Sequence, residues 1–215
     1  ACEMAEAEGI KTKKIIVADD IASASEKEKL KRRGIAGMIF VFKISGAYAE
    51  SGASLEEVFK LADQANNNIR TLGVALSPCI LPEAGKPTFE IDDDEIEIGM
   101  GIHGEPGIKR EKLKPANDLV DDLYQRILDD SKLKSNDKIA IMINSLGATP
   151  LEELYIVSKK FNENLNNSNI INIKSYVGRY ATSMEMSGMS ITTFKLNENL
   201  EKYLFAESAC PFWTN

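Results

Sequence analysis

The 215 residues include three cysteines, one histidine and one tryptophan. Cys2, Cys79 and Cys210 are widely spaced and form no C-x-x-C pair. That excludes a disulfide scaffold and a thiolate zinc site, and it points to a reducing cytoplasm. With His103 as the sole imidazole, no two-histidine metal site can be assembled, and any chemistry that needs imidazole must use this residue. Positive charge is also scarce: 26 basic against 33 acidic side chains give a net charge of −7 and a pI near 5.0. No global field therefore draws nucleic acid or anionic lipid. The apolar stretches at 35–44 and 138–143 stop far short of the roughly 20 residues a membrane-spanning helix needs. The first residues are acidic and lack the apolar centre of a signal peptide.

What is present suits a globular α/β protein of one large or two small domains, 43% hydrophobic and 27% charged. Residues 1–9 read as the last two turns of a helix closing on Gly9, which suggests chain upstream. The run 13–18, ended by Asp19-Asp20, predicts a buried strand. Residues 35–50 predict a buried helix, with a strand the competitor on periodicity alone. Ser54 and Glu57 have the spacing of a capping box at the head of another helix. From Leu72 the texture changes to short strands, expected at 73–76, 88–91 and 95–98 around the Pro-rich stretch 77–87. A domain boundary is placed there, dividing the chain into 1–71, 72–205 and a tail, 206–215. Helices are expected at 117–130, from Thr149 (N-cap) and Pro150 to about 165, and at 197–205. Strands are expected at 138–143, 170–177 and 190–196.

The densest turn chemistry is Gly99-Met100-Gly101-Ile102-His103-Gly104-Glu105-Pro106-Gly107. Gly99-x-Gly101-x-x-Gly104 matches a dinucleotide fingerprint literally, yet Pro106-Gly107 follows where a helix should begin. The other readings are a turn histidine or an imidazole presented on a loop whose glycines allow close approach to a small ligand. Glu105 is a candidate orienting or acid/base group for it, or an exposed loop carboxylate. Asp92-Asp93-Asp94-Glu95 with Glu97 lacks the spacing of a calcium loop and reads as a solvated turn, with no metal site assigned. Lys31-Arg32-Arg33 reads as a charged helix end. Asn144-Ser145, at a strand end, is a polar pair that capping does not explain and that could face a ligand or partner.

Taken together, the segment 99–107, Ala84-Gly85-Lys86-Pro87-Thr88-Phe89, Asn144-Ser145-Leu146-Gly147-Ala148-Thr149-Pro150-Leu151 and Val177-Gly178-x-Tyr180-x-Thr182-Ser183-Met184-x-Met186-x-Gly188-x-Ser190-Ile191-Thr192 strongly resemble the substrate-binding (K) subunit of dihydroxyacetone kinases. Val17-Ala18-Asp19-Asp20 and Arg32-Arg33-Gly34-Ile35-Ala36 fit the same family. The resemblance spans essentially the whole chain. It implies two α/β domains with mixed sheets covered by helices, and a homodimer. It also implies that dihydroxyacetone is held covalently as a hemiaminal of His103, with Gly101 and Gly104 lining the substrate loop. The family's upstream loop, with a second histidine, and its aspartate segment have no counterpart here, so the chain resembles the C-terminal two-thirds of such a subunit. The family further implies that this chain binds no cofactor, and that ADP or ATP with magnesium sits on a partner L subunit. In phosphotransferase-dependent versions a third, M subunit rephosphorylates that nucleotide. Paralogues that serve as coactivators of a transcription factor share the motifs, and a glycine-loop NAD enzyme is the reading that remains if the resemblance is set aside.

Overall fold

Local signals set the first helices. The computed structural model describes residues 1–80, 82–83, 85–211 and 213–214. Leu81 and Ala84 of the Pro-rich stretch, and Phe212 and Asn215 of the tail, lie outside the described residues. Helix α1 (Cys2–Ala7) ends on Gly9, whose amide donates to Glu6 while the Ile10 amide donates to Ala5, the two bonds of a Schellman ending. The apolar segment after Gly34 forms α2 (Met38–Glu50), not a strand, and Phe40, Val41 and Ile44 bury one face of it. Helix α3 (Leu55–Asn67) opens on the expected capping box, with the Ser54 amide 2.8 Å from Glu57 Oε2 and the Glu57 amide 3.4 Å from the Ser54 hydroxyl.

Two expected strands do not form. Residues 13–18 join no strand ladder, and a side chain takes two of their backbone bonds: the Ala18 amide donates to Asn66 Oδ1, and Asn66 Nδ2 donates to the Ile16 carbonyl, each at 3.0 Å. Ile15 and Val17 pack on a cluster that includes Phe40, Leu61 and Ile69, and just beyond the run Asp20 bridges Thr71. Residues 88–91 are tied back by the Thr88 amide, which donates to the Cys79 carbonyl.

Six strands make one sheet: β1 (Ile69–Ala75), β2 (Glu95–Ile98), β3 (Lys109–Lys112), β4 (Lys138–Ser145), β5 (Ile171–Gly178) and β6 (Gly188–Lys195). Their spatial order is β3-β2-β1-β6-β4-β5. All neighbours are antiparallel except β4 and β5, which are parallel and therefore need a crossover, supplied by α5 (Leu151–Asn167). In the centre, β1 pairs with β6 from Ile69 opposite Phe194 to Ala75 opposite Gly188.

Helices cover both faces of this mixed sheet. α4 (Ala116–Ser131) and α5 bury Leu119, Leu123 and Phe161 against Val74, Ile141 and Ile191. On the opposite face α2, α3 and α6 (Glu198–Leu204) pack Phe40, Leu61 and Leu200 against Ile69, Met142 and Phe194. Full burial of side chains of this size contributes roughly 1.5–3 kcal/mol each. Residue 72, the expected domain boundary, lies inside β1, and α2 and α3 from before it share a layer with α6 from after it. A short hairpin of β7 (Ala209–Cys210) and β8 (Trp213–Thr214) closes the chain, with Trp213 stacked on Tyr176 at 4.3 Å between centroids. Among the described residues no helix is long and apolar enough to cross a membrane.

One cap differs from expectation. α5 begins at Leu151 with Pro150, extended, at its N-cap position. The Thr149 hydroxyl is engaged elsewhere: it donates to the Gly188 carbonyl at 2.7 Å and accepts the Gly188 amide at 2.8 Å. It ties the β4–α5 turn to the start of β6.

Candidate functional site

A third apolar cluster, of Ala75, Cys79, Met100, Leu146 and Met186, has Phe89 and Ile102 packed against it. It joins the segments 99–107, 144–151 and 177–192 at one place. The loop that carries His103 folds back on itself: the Gly104 amide donates to Gly101 at 3.1 Å and the Gly101 amide to Glu105 at 3.0 Å. Its base is clamped by the Ile108 amide on Ile98 at 2.8 Å and by the Gly107 amide on Glu97 Oε1 at 2.7 Å. It then enters β3, so no helix N-terminus faces a phosphate and the dinucleotide fingerprint lacks its context.

At the tip the His103 side chain is 79% exposed. Its amide donates to Glu105 Oε2 at 3.0 Å, and its ring Nδ1 lies 3.3 Å from Glu105 Oε1. Burial pushes the Glu105 carboxyl up, but its own amide and the amide and ring of His103 outweigh that and hold it below the usual carboxylate value. An ionised carboxylate only accepts hydrogen bonds, so it favours a proton on Nδ1 and leaves Nε2 with a free lone pair.

Two glycines make this arrangement possible. A Cβ on Gly101 would stand 2.2 Å from Glu105 Oε2, in the space the carboxylate occupies. Gly104 has φ +86°, which side chains rarely adopt, and a Cβ there would press on Thr88 at 3.0 Å.

Sequence reasoning missed the supports of this loop. Lys31 is the exposed last residue of the short 3-10 helix Glu26–Lys31, a charged helix end as expected, but Arg32 is buried and Arg33 half-buried, each with partners inside the protein. Arg33 Nε donates to Asp20 Oδ2 at 2.9 Å, and its Nη2 donates to the Gly99 carbonyl at 3.0 Å. Asp19, fully buried, accepts the amides of Ile35 and Gly37 at 2.8 Å and so anchors the turn that leads into α2. Burial pushes the carboxyls of both Asp19 and Asp20 up, against the amides and Thr71 at the first and Arg33 at the second. An acidic pair ending an apolar run, with Arg-Arg-Gly heading the next one, was the available signal.

Asn144 and Ser145 face the protein interior. Asn144 accepts the amides of Tyr180 and Ala181 and donates to the Ala181 carbonyl and the Ser190 hydroxyl; the Ser145 hydroxyl donates to Thr149. Asn144 thereby positions 180–190, and Ser145 holds the turn that leads into α5. The acidic residues before and in β2 meet cations of the next strand: Asp94 pairs with Lys112 and Glu97 with Arg110.

The family model described as the Dak1 domain matches residues 1–212. The "PTS-dependent dihydroxyacetone kinase 1, dihydroxyacetone-binding subunit DhaK" of Listeria innocua is 48% identical over 198 residues, covering 92% of this chain and 60% of the relative's length. Among solved structures, the "Dihydroxyacetone kinase operon co-activator Dha-DhaQ" superposes with a TM-score of 0.88 at 33% identity, over 95% of this chain and 64% of that one. The dihydroxyacetone kinase of C. freundii gives 0.84 at 34% identity, over 99% of this chain and 38% of the other. The chain thus spans about 60% of the length of its Listeria relative.

Proposed function

This chain belongs to the Dak1 domain family, and from that premise we propose that it holds dihydroxyacetone through His103 and presents it for phosphorylation by a nucleotide-carrying partner. The observation that carries the proposal is an exposed imidazole on a glycine-framed loop with its Nδ1 turned to an ionised carboxylate.

Nε2 adds its lone pair to C2 of the ketone. The C2–N bond forms, the carbonyl π pair moves to O2, and O2 takes a proton from water. The hydroxide so left takes the Nδ1 proton by way of Glu105, which returns to its carboxylate form, and the hemiaminal is neutral. Glycerol offers the same hydroxyls but no carbonyl, so capture by bond formation discriminates where hydrogen bonding alone would do so weakly. The captured triose keeps its terminal hydroxyl free for in-line transfer from a nucleotide with magnesium held on the partner, an L subunit that an M subunit recharges in phosphotransferase-dependent systems.

The likeness to a co-activator favours a second reading, in which the same capture serves as a sensor coupled to a transcription factor. Reconstitution separates the two. Ketone-dependent phosphorylation on adding the L partner and a phosphoryl donor supports the kinase subunit, whereas its absence together with ketone-dependent binding to a regulator supports the sensor.

A further inference from the structure

Arg33 comes from the segment before α2 and reaches across to the His103 loop. The Asp20 carboxylate, 1% exposed, clamps the guanidinium from behind, while Nη2 grips the Gly99 carbonyl at the head of the loop. Its other terminal nitrogen faces Glu105. Arg33 Nη1 lies 3.0 Å, and Glu105 Oε2 lies 2.2 Å, from the single point a Cβ of Gly101 would occupy. The guanidinium therefore stands beside the carboxylate, inside the range of about 4–6 Å at which opposite charges stabilise each other's ionised form. One side chain thus grips the head of the loop through Gly99 and stands near, without contacting, the carboxylate that accepts from the imidazole.

We propose that Arg33 is a positioning residue for His103: through the Gly99 carbonyl and the Glu105 carboxylate it keeps the ring proton on Nδ1 and so leaves Nε2 free to bond the ketone. This rests on the reading of His103 as the capturing group. A lysine could satisfy the buried Asp20 but has no planar fork to reach Gly99 and Glu105 together.

The test is the ring nitrogen-15 spectrum of His103 in the intact protein without ligand, at about pH 8, where a free imidazole is neutral. The signal is assigned by its loss in His103→Gln. The unaltered protein should show the Nδ1–H form dominating. Arg33→Lys should show mixed tautomers with little change in melting temperature, and the fraction of bound dihydroxyacetone present as adduct should fall at least about tenfold, the scale of a misplaced reacting group. Arg33→Met combined with Asp20→Asn removes both charges together and serves if the lysine variant does not fold. An unchanged tautomer in either folded variant overturns the proposal. Absence of adduct in the unaltered protein overturns instead the reading of His103, because the tautomer measurement uses no ligand.

Discussion

Arg32 and Asp130, 98 positions apart, meet through two hydrogen bonds, Nη1 to Oδ1 at 2.9 Å and Nη2 to Oδ2 at 2.5 Å. Arg70 Nε shares the same carboxylate at 2.6 Å, and the Arg32 side chain has no exposed surface. Removing Asp130 strands the buried Arg32 charge, whereas removing Arg32 leaves the carboxylate paired with Arg70. Asp130→Asn should therefore lower the stability measured by urea unfolding by about 3–5 kcal/mol, and Arg32→Met by less.

The pH dependence of that loss has a definite sign. Burial alone would raise the Asp130 carboxyl, but Arg32 and Arg70 outweigh it and hold it below its ordinary 3.8. Its contribution is present above the unfolded value and lost as pH falls through the folded one, so the gap between the natural protein and Asp130→Asn should close in strong acid. Asp19 has the opposite sign. Its folded carboxyl lies above 3.8, so protonation on going from neutral toward 3.8 relieves a buried charge in the natural protein only. The gap to Asp19→Ala should widen over that range; unfolding curves taken at several pH values would show a narrowing gap if the assignment is wrong.

The two glycines of the loop should fail differently. Gly101→Ala displaces the Glu105 carboxylate, so the fold should survive while ketone capture drops. Gly104→Val adds a β-branched side chain at φ +86°, which should cost about 1–3 kcal/mol of stability as well as capture. Thermal unfolding beside ligand binding separates the effects, and full capture by Gly101→Ala would show that the carboxylate's place is immaterial.

Docking of the nucleotide-carrying partner should depend on salt. A chain of net charge −7 favours a partner face rich in Arg or Lys, and attraction between exposed charges weakens as ionic strength rises. Affinity measured from about 50 to 500 mM salt should fall steadily; a flat profile would contradict electrostatic docking.

Features governed by near neighbours were legible in the sequence: the Gly9 ending, the Ser54–Glu57 box, helix α2 and the glycine frame of His103. Features governed by distant partners were not. The β-branched run at 13–18 looks like a strand, but Asn66 takes two of its backbone bonds. Thr149 looks like a cap, but its hydroxyl is committed to Gly188. Arg32 and Arg33 look like part of a charged helix end because nothing nearby in sequence marks Asp130 or Gly99 as their partners. The candidate loop was legible in the sequence and the residues that hold it were not.

The central claim is that the single imidazole of this chain bonds the ketone. Dihydroxyacetone labelled with carbon-13 at C2, added to the intact protein, should lose its ketone resonance and gain one in the hemiaminal region, and His103→Ala should leave the ketone resonance in place with only noncovalent binding. A tetrahedral C2 signal that persists in the His103→Ala protein would show that another group forms the bond.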